Sequence, residues 1–229
     1  ADLVRKDFQR ALLLSPQDAN AHGWFGMELA WRGQREESRR ENEIAVTIDP
    51  YAPGRRMGFA ISALNYGSPE DALREAQHAT RMEPSLLAPR SAEALALLLL
   101  GRAAECVQVN LDRYLAIRAL CLYTLGQRDT AKRLIDSLAA VASAADRQGG
   151  PYEDLVLGEN LALYFAWIGD VEATLTWMAR AADITTAAAP FLYLHSKIFD
   201  PVRTSPRFLS GVEQLKQEIW RKVNVRKTA

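Results

Sequence analysis

A step of 34 residues recurs in three sets of positions along the first half of the chain. One set is proline, one is glycine and one is alanine: Pro16, Pro50 and Pro84; Gly33, Gly67 and Gly101; Ala11, Ala45 and Ala79. Three registers that share one period are typical of a structural repeat, in which similar units pack against their neighbours. The chain is therefore predicted to be an array of similar units.

Each unit has the pattern of two helices joined by a tight turn. The first helix mixes small and large apolar residues, as in "FGMELAWRG" and "FAISALNYG", and ends at a glycine that can adopt the left-handed conformation. The second helix begins with "SPEDALREA", where Ser68 is a natural N-cap and Pro69 suits the first helical position. Proline then ends the unit, because it cannot continue a helix.

This 34-residue pair of helices resembles the tetratricopeptide repeat (TPR) superfamily. The resemblance implies an all-α fold, an α-α superhelix of stacked helix-turn-helix repeats with a C-terminal capping helix. Residues 1–18 match only the second helix of a truncated repeat, and 19–186 match about five repeats, of which the fourth is shortened near Asn110. Residues 187–229 match a capping segment, and the whole range 1–229 is interpreted as one domain. We expect it to be a fragment of a longer chain.

The ending "YLHSKIFDPVRTSPRF" resembles a phrase that closes TPR regions in many bacterial regulators. In those proteins the region follows winged-helix domains of transcription regulators, class III adenylate cyclase domains or Ser/Thr kinase domains. The matching residues are Ile198, Phe199, Asp200, Pro201, Arg203, Pro206, Arg207 and Phe208. The resemblance implies a regulatory or sensory domain. The residues themselves favour a structural role, with two phenylalanines packing the last helix and Asp200 pairing with an arginine.

In the TPR family the first helices line a concave groove that binds partners. The matching positions here are mostly apolar: Met27, Trp31, Met57, Ile61, Leu64, Asn65, Leu95, Tyr123, Glu159, Leu163 and Trp167. The Lys/Asn/Arg set that holds a C-terminal carboxylate in the best-known groove of the family is missing. Such a surface suits a protein or peptide partner, including an amphipathic helix, with aromatic residues as anchors. The alternative for each side chain is packing between repeats or against the chain's own capping helix, and the two tryptophans are expected to be the exceptions.

No catalytic or metal-binding constellation is evident. His22, His78 and His195 are far apart and lack partners at metal-ligand spacing. His22 and His78 are expected to be solvated, and acid–base chemistry by His195 is disfavoured because it lies in the capping segment. Neither a phosphate loop nor a Gly-x-Ser-x-Gly motif occurs. We therefore expect no enzyme activity, no metal and no cofactor.

Charge and hydropathy bear on whether the chain binds nucleic acid or crosses a membrane. Lys+Arg and Asp+Glu are equal at 28 each, which gives no indication of nucleic-acid binding through this region. The longest apolar run, 94–100, is too short to span a bilayer, and no signal peptide is evident, so a cytoplasmic location is expected. Cys106 and Cys121 are predicted to be reduced and buried, with a disulfide as the alternative.

Three classes of function follow from these observations. The first is a protein-protein interaction scaffold that serves as the regulatory domain of a larger bacterial protein, such as a transcription regulator. A free-standing adaptor or secretion chaperone is the second, and an enzyme is the least favoured. Homodimer formation is left open.

Overall fold

The computed structural model describes residues 2–145, 151–184 and 193–227. Every regular element in these ranges is a helix. The chain divides into two compact units: Ala1–Asn110 with Tyr193–Lys197 form unit 1, and Leu111–Leu192 with Ile198–Ala229 form unit 2. The prediction of an all-α fold built from stacked helical hairpins is confirmed within each unit.

Unit 1 contains three pairs of helices that follow one initial helix. The helices are α1 (Asp2–Leu14), α2 (Ala19–Trp31), α3 (Arg35–Ile48), α4 (Pro53–Tyr66), α5 (Pro69–Met82), α6 (Ala88–Leu99) and α7 (Ala103–Cys106). Helix α2 pairs with α3, and α4 pairs with α5. The first helices of consecutive pairs also pack against one another, α2 on α4 and α4 on α6. The short α7, of four residues, lies where the sequence indicated a shortened second helix.

Unit 2 repeats the hairpin plan and adds a terminal helix. Its helices are α8 (Leu115–Thr124), α9 (Arg128–Ala145), α10 (Pro151–Ile168), α11 (Val171–Ile184), α12 (Asp200–Arg203) and α13 (Pro206–Lys227), with a 3-10 turn at Lys197–Phe199. Helix α8 pairs with α9, and α10 pairs with α11 and packs on α8. The last helix, α13, packs on α11. Phe199 and Phe208 contact each other there, with ring centroids 6.0 Å apart.

The same left-handed turn closes the first helix of every hairpin. Gly33, Gly67, Gly101, Gly126 and Gly169 have φ angles between +72° and +91°. The residue after each glycine donates its backbone N–H to the carbonyl five residues earlier, over 2.8 to 3.0 Å. This bond identifies a Schellman motif, which satisfies carbonyls that the helix end would otherwise leave unpaired. The predicted glycine turns are confirmed.

Helix starts agree less closely with the prediction. Asp18 caps α2, because its carboxylate accepts hydrogen bonds from the backbone N–H groups of Asn20 and Ala21 at 2.9 and 3.1 Å. Ser68 occupies the N-cap position of α5 but makes no capping bond. Its hydroxyl instead donates to the carboxylate of Asp71 at 2.7 Å. The predicted position of this helix start is right, and the predicted role of the Ser68 hydroxyl is wrong.

Small residues and two polar side chains fill the crossing of α2 and α3, where Asn42 Oδ1 alone of their polar atoms has no hydrogen-bond partner among the described residues. The Ser38 hydroxyl donates to the Gly26 carbonyl at 2.7 Å, and the Asn42 amide donates to the Ser38 carbonyl at 2.8 Å. A Cβ added at Gly26 would stand only 2.5 Å from Asn42 Nδ2. Gly26 therefore lets the two helices approach closely, while Asn42 fills the space that a larger apolar residue would take.

Two expectations about reactive side chains are not met. Cys106 and Cys121 are both fully buried, as predicted, but neither is a free thiol, so the prediction that they are reduced is wrong and the disulfide-bonded alternative holds. His22 is buried, with 7% of its surface exposed, rather than solvated. Its Nδ1 lies 2.6 Å from Glu41 Oε2 and its Nε2 lies 3.1 Å from the Pro16 carbonyl oxygen. His22 thus ties the corner before α2 to helix α3.

Candidate functional site

The first helices of unit 1 carry a strip of half-buried apolar side chains. Met27 and Trp31 lie one turn apart on α2, and Met57 and Ile61 lie one turn apart on α4. A four-residue step keeps each pair on one helix face. Met27 lies against α4, because its sulfur is 3.3 Å from the place where a Cβ would stand on Gly58. These four residues are named the first-helix face.

Other residues of the predicted groove lie inside the packed units. Leu64 and Leu95 have no exposed surface, and Asn65 and Leu163 are 1% exposed. A buried side chain contributes to packing between helices and has no surface to offer a partner in this arrangement. The solvent-accessible surface along the first helices therefore comes from the half-buried residues of the predicted groove.

In unit 2 the predicted positions lie on α8 and α10, which pack together. Tyr123 of α8 is half-buried and meets the ring of Tyr164 edge to face, with centroids 6.0 Å apart. The guanidinium of Arg128 stands 5.2 Å from the Tyr123 ring centroid, within reach of a cation–π interaction. Trp167 of α10 is also half-buried. Unit 2 therefore presents aromatic side chains on its first helices as well.

Glu159 is chemically the most unusual residue of the predicted set. It lies on α10, one and two turns before Leu163 and Trp167. Its Oε1 atom is buried and has no hydrogen-bond partner among the described residues. Burial disfavours the charged form and raises the pKa of this carboxyl to about 8. At neutral pH the side chain is therefore mainly a neutral acid, which can donate a hydrogen bond.

A distant segment of the chain lies at the carboxyl ends of α2 and α4. The backbone N–H of His195 donates to Asn65 Oδ1 at 3.3 Å, and its ring Nε2 lies 2.9 Å from the Trp31 carbonyl oxygen. Sequence reasoning missed these contacts, because 130 and 164 residues separate the partners and no local pattern links them. His195 therefore holds a structural contact with the first helices of unit 1.

Two surface pockets lie beside α5, the second helix of its hairpin. One, of about 370 Å³, is lined by Glu70, Leu73, Arg74, Gln77, Arg81, Leu100 and Arg102, and the other, of about 430 Å³, by Pro50, Tyr51, Arg56, His78, Arg81 and Met82. Most of their arginines already pair with carboxylates, as Arg74 does with Asp71 at 2.7 Å and Arg102 with Glu105 at 2.6 Å. Local pairing thus offsets most of the positive charge that would attract an anion.

Within the described ranges, no group of three or more His, Cys, Asp or Glu side chains is arranged to hold a metal ion. The helices of the same ranges include none that is long and apolar enough to cross a membrane.

No protein-family model and no curated protein matches the chain. Among solved structures, one similar chain is YrrB, described as a TPR protein with an unusual peptide-binding site, at 18% identity and a TM-score of 0.43, covering 82% of this chain and 96% of that one. Another is a chain of the Naa15/Naa10 complex bound to HypK-THB, at 16% identity and a TM-score of 0.42, covering 93% of this chain and 34% of that one. TM-scores and sequence identities this low do not assign a fold. The description of the chain as stacked helical hairpins therefore rests on its own helix pairs and glycine turns.

Proposed function

We propose that this chain is a non-catalytic scaffold that binds an apolar peptide or an amphipathic helix along the first-helix face. The observation that carries the proposal is the strip of four half-buried apolar side chains on two adjacent helices. Trp31 would act as a rigid anchor, since aromatic residues dominate the energy of such contacts. Met27 and Met57 are flexible and would adapt to more than one partner.

The size of the strip sets an expectation for affinity. Full burial of one large apolar side chain is worth roughly 1.5–3 kcal/mol, so covering the exposed part of four half-buried ones yields at most about 4 kcal/mol. A dissociation constant of 1 μM corresponds to about 8 kcal/mol, and association entropy must also be overcome. The peptide therefore has to make further contacts, and we expect modest affinity from this strip alone.

A peptide selection with matched methionine variants tests the proposal. Peptides are selected from a phage-displayed random library against the whole chain, and their affinity is measured by fluorescence anisotropy. Met57→Glu is expected to weaken binding about tenfold or more, because the new carboxylate would be desolvated against an apolar ligand. Met82→Glu is the control, since Met82 lies on the second helix α5 and is 39% exposed. Equal affinity of both variants and the parent would reject the first-helix face as the binding site.

The finer proposal is that this scaffold is the regulatory domain of a larger bacterial protein, such as a transcription regulator. It is supported by the closing phrase. The phrase also has structural contacts in unit 2, where Arg203 pairs with Asp200 at 3.0 Å and Arg207 pairs with Glu172 at 2.8 Å. Intact mass and N-terminal sequencing of the native product test the finer proposal. A winged-helix, cyclase or kinase segment upstream would support it, and a product that begins near Ala1 would favour an adaptor or secretion chaperone.

From the sequence we also propose a single domain over 1–229, no nucleic-acid partner and a cytoplasmic location. The disulfide-bonded state of both cysteines is more typical of oxidising compartments, and it weighs against the cytoplasm. Whether the chain forms a homodimer is answered by light scattering on the purified protein.

A further inference from the structure

We propose that the chain's own segment Tyr193–Lys197 occupies part of the peptide site of unit 1, and that a partner binds by displacing it. This inference rests on the proposed function, because it concerns access to the first-helix face. The segment is compact with unit 1 although it follows α6 and α7 by more than 80 residues. Among the described residues after Asn110, this stretch groups with the first three hairpins.

Two hydrogen bonds anchor the segment beside Trp31. The His195 ring donates from Nε2 to the Trp31 carbonyl at 2.9 Å, since a carbonyl can only accept. The His195 backbone N–H donates to the Asn65 side chain at 3.3 Å. Asn65 is itself held by α4, because its amide nitrogen donates to the Ile61 carbonyl at 3.3 Å. The segment therefore bonds to α4 through its backbone and to α2 through one side chain, as a bound peptide would.

Packing supports the same interpretation. Tyr193 is 6% exposed and Ser196 is fully buried, so the segment is seated rather than loosely attached. A backbone bond from Ser196 to the Tyr193 carbonyl, at 2.8 Å, folds the segment into a turn. The His195 ring also lies against the turn that ends α2, where its Cε1 would be 3.3 Å from a Cβ on Gly33. The segment thus fits the end of the first-helix face closely.

One buried atom of Trp31 lacks a partner while the segment is in place, and this favours exchange for a peptide that can supply one. Trp31 Nε1 is buried and has no hydrogen-bond partner among the described residues. A buried donor without an acceptor is unfavourable. An incoming peptide that brings a carbonyl or carboxylate to this N–H would form a bond that the chain's own segment does not form. The partner class that this indicates is a peptide with an aromatic or histidine residue beside an acceptor.

Displacement predicts that weakening the segment improves binding in trans. The probe is a labelled peptide with the sequence of residues 193–200, "YLHSKIFD". It is expected to bind the whole chain carrying His195→Ala and to bind the parent at least tenfold more weakly, because the apparent affinity falls with the fraction of sites that are open. His195→Gln, which keeps a donor for the Trp31 carbonyl, is expected to behave like the parent. His78→Ala, a histidine of α5, is the control for losing an imidazole.

The outcomes separate this inference from the proposed function. Tight binding of the probe to His195→Ala alone, lost when the probe's own histidine is alanine, supports self-occupancy. Equal binding to the variant and the parent, or to neither, overturns it, whatever the library-selected peptides do. If His195→Ala does not fold, hydrogen exchange on the parent replaces it. A selected peptide should then speed exchange of the His195 amide, and an unchanged rate with the peptide bound overturns displacement.

Discussion

Among the described residues, five buried side-chain atoms have no hydrogen-bond partner, and two of them belong to the predicted groove; the five are Trp31 Nε1, Asn42 Oδ1, Tyr66 OH, Arg90 Nε and Glu159 Oε1. Trp31 Nε1 and Glu159 Oε1 both lie on first helices, at positions where the family resemblance places a binding surface. Most buried polar groups in proteins are hydrogen-bonded, so each exception needs an explanation. A cost of this kind is tolerated most readily where a ligand can supply the missing partner.

Glu159 gives a prediction about pH. Its pKa is about 8 in the folded chain against 4.5 as the ordinary value. The folded state therefore binds more protons than the unfolded state between these values, and stability falls as pH rises through this window. Glu159→Gln, which cannot ionise, should be more stable than the parent by about 3–4 kcal/mol at pH 7.5 and nearly equal to it at pH 4.5.

Urea unfolding at several pH values, with Glu213→Gln on α13 as the exposed control, measures this difference. The control should show little change at any pH. A gain for Glu159→Gln that is the same at pH 4.5 and pH 7.5 would mean that burial of the carboxyl does not control its ionisation.

At the scale of the element, the turn after each first helix is required by backbone conformation. The glycine of this turn has a positive φ, which costs an L-residue with a Cβ roughly 1–2 kcal/mol. The second helix can then reverse direction within two residues, and small residues such as Ala60 and Ala72 let it lie close to the first, since both are 0% exposed. The hairpin is thus specified mostly by interactions between residues close in sequence.

Substituting two glycines distinguishes the cost of a positive φ from the cost of steric crowding. A Cβ at Gly101 or at Gly54 would meet nothing within 4 Å, but only Gly101 has a positive φ. Gly101→Ala should destabilise the chain by about 1–2 kcal/mol, whereas Gly54→Ala in α4 should be neutral or slightly stabilising because alanine favours helix. Thermal and urea unfolding compare the two. A Gly54→Ala variant as unstable as Gly101→Ala would show that φ is not the cause.

At the scale of the whole molecule, each hairpin is expected to be stabilised mainly by the hairpins next to it. In repeat arrays each hairpin contacts mainly the adjacent ones, so a local defect spreads weakly. The chain also separates into two compact units, each with its own packed helices. Opening of one unit should therefore leave most contacts of the other intact.

Gly26→Ala in unit 1 provides the test. The new methyl would stand 2.5 Å from Asn42 Nδ2 and force α2 and α3 apart, with a cost of about 1–3 kcal/mol. Amide hydrogen exchange should accelerate in α2 and α3 far more than in α10 and α11. Removing the clash with Asn42→Ala in the same chain should restore much of the lost protection. Equal acceleration in both units would indicate one cooperative body.

The sequence by itself determined the helical pairs, their 34-residue period and the five glycine turns. These features depend on helix periodicity, capping and φ preference, which act between residues a few positions apart. Leu64 lies on α4 with the half-buried Met57 and Ile61 and shares their apolar character, but it is fully buried. The sequence could not separate them, because burial depends on which helices pack around each face.

Only the tertiary structure decided that His22 ties Pro16 to Glu41 and that His195 reaches Trp31 across 164 residues. Both histidines appeared unremarkable in the sequence. Contacts between such distant residues are set by how hairpins stack and where the chain returns, and no local pattern encodes that path.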